Sequence, residues 1–121
     1  MNRKQRRAEK KQRRPVMQGT PPGVQKVFAD ALRHHQAGRL NEAERLYRQI
    51  LAVDPRHADS LHLLGVIAYQ AGRHDLAVDL ISQAIGINAK APGYHCNLGL
   101  ALKTKGKLDE AVACYRALPG Y

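Results

Sequence analysis

Three glycines, Gly38, Gly72 and Gly106, stand 34 residues apart, and that interval governs the rest of the chain. Ala43, Ala77 and Ala111 keep it, as do Tyr47, Ile81 and Tyr115. Gly65 and Gly99 repeat it again, with the small Ala31 one period earlier. A period of this length marks a supersecondary unit that cannot bury its apolar face alone and must stack on its neighbours. Within the first period, Val24, Val27, Phe28, Ala31 and Leu32 recur at helical spacing before Gly38. Leu40, Ala43, Leu46, Tyr47, Ile50 and Leu51 do so after it. The spacing predicts two amphipathic helices per period, over about 24–37 and 40–53 in the first. The glycine between them supplies the left-handed residue that closes the leading helix.

Three repeats follow, at 24–57, 58–91 and an incomplete 92–121. The first closes before Asp54-Pro55, since proline stops a helix. The second carries Leu61, Leu64, Gly65 and Ala68, then Ala77, Ile81, Ala84 and Ile85, ending at Ile87-Asn88. The third opens with Pro92, suited to a first helical position. It runs through Leu98, Gly99, Leu102, Leu108, Ala111, Val112 and Tyr115 to Leu118. Gly65, Gly99, Ala77 and Ala111 are small where the leading (A) and following (B) helices of one repeat should cross. After Leu118 only Pro119-Gly120-Tyr121 remains, and no polar capping helix follows. Two expectations arise: the last helix exposes an apolar face that pairs with another copy, or the chain is a piece of something longer. The second is favoured.

Composition narrows the function classes. Hydrophobic residues are 44% of the chain, with no Trp and a single Phe, which suits thin helices packed through Ala, Leu, Ile, Val and Gly. The net charge of +10 is concentrated at one end. Arg3, Lys4, Arg6, Arg7, Lys10, Lys11, Arg13 and Arg14 face only Glu9, whereas the remaining residues hold 12 Lys/Arg against 9 Asp/Glu. A like-charged run without an apolar stripe predicts a disordered leader. Pro15, Gly19, Thr20, Pro21, Pro22 and Gly23 read as a linker, so residues 1–23 precede a folded domain of 24–121. No apolar run is long enough to span a membrane, and no apolar stretch follows the basic run as in a signal peptide. Cys96 and Cys114 lack CxxC or Cys/His ligand spacing and read as reduced structural thiols of a cytoplasmic protein.

The repeated positions resemble the tetratricopeptide family over about residues 24–118. That resemblance implies an all-α fold: a right-handed solenoid of nearly three helix-turn-helix repeats behind the disordered basic leader. It also implies a module that binds other polypeptides. A more specific likeness lies in Gln36-Ala37-Gly38-Arg39-Leu40-Asn41-Glu42-Ala43-Glu44 and in Asp54-Pro55-Arg56-His57-Ala58-Asp59-Ser60-Leu61-His62-Leu63-Leu64-Gly65-Val66. Tyr94-His95-Cys96-Asn97-Leu98-Gly99 and Leu108-Asp109-Glu110-Ala111-Val112 extend it. These are similar to the N-terminal repeats of bacterial proteins related to protein O-linked N-acetylglucosamine transferases. In that group the repeats present protein substrates to a glycosyltransferase domain, of which nothing is recognised here.

In the family, positions 2, 5, 6, 9, 12 and 13 of each A helix face the concave surface. Carried over, they are Gln25, Phe28, Ala29, Leu32, His35 and Gln36 in repeat one. In repeat two they are Asp59, His62, Leu63, Val66, Tyr69 and Gln70. In repeat three they are Gly93, Cys96, Asn97, Leu100, Lys103 and Thr104. The residues selected for peptide contact are Phe28, Leu32, His35, Asp59, His62, Val66, Tyr69, Gln70, Cys96, Asn97, Leu100 and Lys103. Apolar and hydrogen-bonding groups mix there, as gripping an extended or helical segment requires. In the transferase relatives an asparagine at the place of Asn97 bonds a bound peptide's backbone, its amide both donating and accepting. Ala29 and Leu63 stand at the equivalent places, so the asparagine series is incomplete; a local bond to its own helix is the alternative for Asn97. Lys/Asn capture of a C-terminal carboxylate is disfavoured, because Phe28, Leu32, His62, Val66, Cys96 and Leu100 occupy those positions.

No catalytic motif, cofactor fingerprint or metal-ligand spacing occurs. His34 and His35 point to different faces, His57 and His62 flank a helix start, and His74 and His95 are isolated, with no HxxxH pair. The chain reads as a non-catalytic protein-interaction module without cofactor or metal, the N-terminal part of a longer repeat protein. The alternative is the substrate-recruiting arm of a glycosyltransferase whose catalytic domain is absent. A weaker reading has Arg3 to Arg14 touching nucleic acid or an anionic membrane by phosphate attraction, which salt would screen.

Overall fold

The computed structural model describes residues 22–118, all of whose regular structure is helical. The basic residues Arg3, Lys4, Arg6, Arg7, Lys10, Lys11, Arg13 and Arg14 lie outside the described residues. The helices are α1 (Pro22–Gln36), α2 (Leu40–Val53), α3 (Ala58–Gln70), α4 (His74–Ile87), α5 (Pro92–Thr104) and α6 (Leu108–Arg116). Each packs on its neighbours in sequence, and α3 also meets α5. The A helices of the repeats are α1, α3 and α5; the B helices are α2, α4 and α6.

Helix ends follow the repeat. Gly38, Gly72 and Gly106 adopt φ of 80°, 79° and 83°, the left-handed region that a side chain resists. In each case the next amide reaches back past the glycine: Arg39 to the His34 carbonyl, Arg73 to Ala68 and Lys107 to Leu102. Those bonds satisfy carbonyls that the helix end would leave unpaired. Pro92 takes the first position of α5, after Ala91. The leading helix opens at Pro22, two residues before the first apolar position, because proline is equally suited to an opening turn. At the other end α6 stops at Arg116, short of Leu118; the following Pro119 disfavours helical backbone at the residue before it.

Small residues let the helices cross closely. A side-chain carbon at Gly65 would lie 2.7 Å from Ile81 Cγ1 and 3.3 Å from the Ala77 carbonyl oxygen. At Gly99 it would lie 2.5 Å from the Tyr115 ring. Ala31, Ala43, Tyr47, Ile81 and Ala84 are fully buried in the main core, and Ala77 is fully buried in a smaller cluster with Ala68 and Ala101. Repeat position alone does not decide burial. Val78 is half-buried beside Ala101 of the following repeat, whereas Val112, one period later, is exposed along with Leu108.

Candidate functional site

The residues expected to meet a partner lie on α1, α3 and α5, and side-chain hydrogen bonds tie these helices together. His35 Nε2 lies 3.1 Å from Gln70 Oε1. Tyr69 and Thr104 pair hydroxyl to hydroxyl at 3.1 Å. Thr104 also donates to the Leu100 carbonyl at 2.9 Å, so Tyr69 is the donor in that pair. Asn97 Nδ2 meets His62 Nε2 at 2.7 Å, and the Tyr94 hydroxyl donates to Asp59. All four pairs are separated by 35 residues. Each bond therefore joins one repeat position to the next position of the following repeat.

Aromatic packing supports the same face. Phe28 is half-buried, its ring 6.1 Å from Tyr47 and 5.0 Å from His57. His62 lies 4.5 Å from the ring of Tyr94. His35 accepts from the buried Tyr47 hydroxyl through Nδ1 at 3.2 Å, leaving Nε2 as the donor to Gln70. Val66, Tyr69, Asn97 and Leu100 enclose, with Ile81, a recess of about 20 Å³, room for one water-sized group. Leu32 is half-buried, and Asp59, Gln70, Cys96, Leu100 and Lys103 are exposed.

Burial sets the protonation of this cluster. It lowers the pKa of His62, while the Asp59 charge and the Gly93 carbonyl pull upward and His35 adds to the depression. Neutral His62 accepts the Asn97 amide hydrogen, but a protonated ring would oppose donor to donor. The unfolded chain therefore binds this proton more readily than the folded one. Stability from His62 is present above the unfolded value of about 6.5 and is lost as pH falls from there toward the lower folded value. Urea unfolding at about pH 7.5 and pH 5 should show a smaller loss on acidification in His62→Gln than in the parent. Equal losses would assign the acid sensitivity elsewhere.

Three other histidines are dispersed into structural roles. His34 Nδ1 accepts from Arg39 at 2.9 Å, and His95 Nε2 donates to the Ala89 carbonyl at 2.7 Å. His57 caps α3: its Nδ1 accepts from the Ser60 amide at 3.2 Å and from the Ser60 hydroxyl at 2.7 Å. Among the described residues no group of three His, Cys, Asp or Glu side chains is placed to hold a metal ion. Nor is any helix there long and apolar enough to cross a membrane. Cys96 and Cys114 are free thiols; Cys96 is exposed on α5, and burial raises the pKa of the Cys114 thiol.

A family model described as tetratricopeptide repeat matches residues 28–95, and a second of the same description matches residues 92–118. The chain belongs to the tetratricopeptide repeat family. Among curated relatives, tetratricopeptide repeat protein 7B of Homo sapiens is 33% identical over 78 residues, 64% of this chain and 9% of that protein. The UDP-N-acetylglucosamine–peptide N-acetylglucosaminyltransferase of Caenorhabditis elegans is 34% identical over 96 residues, 79% of this chain and 8% of that protein. The tetratricopeptide chain thus spans less than a tenth of either relative. A Thermobaculum terrenum O-GlcNAc transferase structure aligns with TM-score 0.77 at 24% identity, covering 85% of this chain and 21% of that one. The Yersinia enterocolitica type III secretion chaperone SycD, in complex with a peptide of the translocator YopD, aligns with TM-score 0.76 at 19% identity, covering 84% and 80%.

Sequence reasoning missed Tyr94, the His57–Ser60 cap and the pairing itself. The readable signal was polar residues at the period plus one: Asp59 with Tyr94, His62 with Asn97, His35 with Gln70, and Tyr69 with Thr104. Asn97 does not follow the local alternative, since its amide nitrogen bonds across to His62 of the preceding repeat.

Proposed function

We propose that this tetratricopeptide chain is a non-catalytic module that binds a polypeptide segment along the concave face formed by α1, α3 and α5. The supporting observation is the set of inter-repeat bonds. They tie Gln70, Asn97 and Asp59 to neighbouring helices, and α5 also carries the exposed Leu100, Cys96 and Lys103, a polar and apolar mixture ordered before any ligand arrives. Preorganisation lowers the entropy lost on binding. Peptide occupancy of SycD, a protein of the same fold, favours the same use here. Phe28, Leu32, His35, His62, Val66 and Tyr69 form the floor in this reading.

Leu100 offers the cleanest test, since it is 40% exposed and its replacement leaves the core intact. Peptides selected from a displayed random library on the parent chain should bind Leu100→Arg at least about tenfold more weakly, as for an interface anchor. Unchanged affinity for every selected peptide would place binding elsewhere.

The likeness to the Caenorhabditis elegans transferase over 79% of the chain favours a second, narrower reading, in which the module recruits substrates for a glycosyltransferase. Sequencing the full reading frame tests it: a following catalytic domain supports that reading, and a frame without one removes it.

A further inference from the structure

The upstream side of α1 carries an apolar groove of about 300 Å³ lined by Gly23, Val24, Val27, Gln49, Ile50 and Val53. In the next two repeats this side of the A helix is occupied: α2 packs on α3, and α4 packs on α5. Among the described residues no B helix precedes α1. The consequence shows at equivalent positions. Val53 is 67% exposed, whereas Ile87, one period later, is half-buried. Val27 is half-buried, whereas its counterpart Leu61 is buried.

The 34-residue register runs on into the segment before α1. Pro21 stands one period before Pro55, and Val16 and Met17 stand one period before Ile50 and Leu51. Ile50 is in the core and Leu51 packs against it. Further back the pattern fails, because Gln12 and Arg13 fall where Leu46 and Tyr47 would be. Pro15 also prevents a continuous helix from running through that point. What remains in register with the end of a B helix is a pair of apolar residues, Val16 and Met17.

We propose that residues 15–21 dock in this groove, with Val16 and Met17 covering Val27 and Val53 as a cap for the solenoid. The occupant is local, joined to α1 without an intervening loop, so closure costs little chain entropy. An A helix with no B helix over it needs such cover because its outward face otherwise presents apolar surface to water.

The test uses the full chain and hydrogen exchange of the α1 amides. Val16→Asp/Met17→Asp lies outside the helical repeats, so it leaves them folded. It should speed exchange of the Val27 and Phe28 amides by about tenfold, the effect of uncovering apolar surface worth one decade in the opening equilibrium. Val53→Asp should do the same, and the combined variant should add little to either. Unchanged exchange in the Val16→Asp/Met17→Asp chain would overturn the proposal. So would a concentration-dependent mass by light scattering that Val53→Asp abolishes and the paired leader substitution leaves unchanged, since the occupant would then be a second copy.

Discussion

Replacing Tyr47 by alanine should lower unfolding stability by about 3–5 kcal/mol, the usual range for truncating a large buried aromatic side chain. Domains of this kind hold a total of about 5–15 kcal/mol, so the loss is a large fraction of the whole. Tyr47 is fully buried on α2, between the ring of Phe28 and the imidazole of His35. Its burial pushes the phenol pKa up to about 12, so it enters the core uncharged and donates to His35 Nδ1. Two contributions can be separated. Tyr47→Phe keeps the ring and removes only the hydrogen bond, and should cost about 1 kcal/mol. Chemical denaturation of both variants, followed by circular dichroism, checks the ranking. A Tyr47→Ala chain as stable as Tyr47→Phe would mean that α1 and α2 do not depend on this contact.

Gly65→Val should destabilise by about 3 kcal/mol, at the upper end for overpacking a dense core. The obstacle is fixed in place: Ile81 is fully buried, and the neighbouring Ala77 carbonyl belongs to the backbone of α4. Gly65→Ala should cost less, because relief of glycine's poor helix propensity returns about 1 kcal/mol. Gly99 has the shorter approach, 2.5 Å to the Tyr115 ring, yet valine there should be better tolerated. Tyr115 is only half-buried and sits on α6, which packs chiefly on α5 and can yield. The discriminating measurement is a double-mutant cycle. In an Ile81→Ala background the Gly65→Val penalty should shrink by about 1 kcal/mol or more. Additive penalties would show that some contact other than Ile81 sets the cost.

The repeat frame was legible because it rests on backbone requirements that few residues satisfy. Only glycine adopts the conformation of Gly38, Gly72 and Gly106 without strain, and only a very small residue fits opposite Ile81. Those positions announce themselves at a fixed interval, and the six helices among the described residues fall where the interval places them. The face along α1, α3 and α5 was less legible. Family positions supplied candidate residues but not their partners, and hydrogen bonding depends on how far successive repeats are rotated, which the sequence does not state. His57 shows the same limit: an imidazole that caps α3 looks, in sequence, like an isolated histidine. Val53 and Val112 show another, since each has the apolar character of a covered residue and neither has a neighbouring repeat over it among the described residues.

The spacing of the inter-repeat bonds bears on how such a chain changes length over generations. His35 with Gln70 and Tyr69 with Thr104 are the same rung written twice, from the twelfth place of one A helix to the thirteenth of the next. Excision of residues 58–91 in frame would bring His35 opposite Thr104, where an imidazole and a hydroxyl can still pair. The rung at His62 would not survive, because Phe28 would take its place, and at Asp59 the carboxylate would give way to the uncharged Gln25 amide. Gain or loss of a whole unit would therefore keep the end of the face nearest the glycine turns joined while rewriting the other end. One half of the surface is free to acquire new partners while the other half keeps the repeats in line.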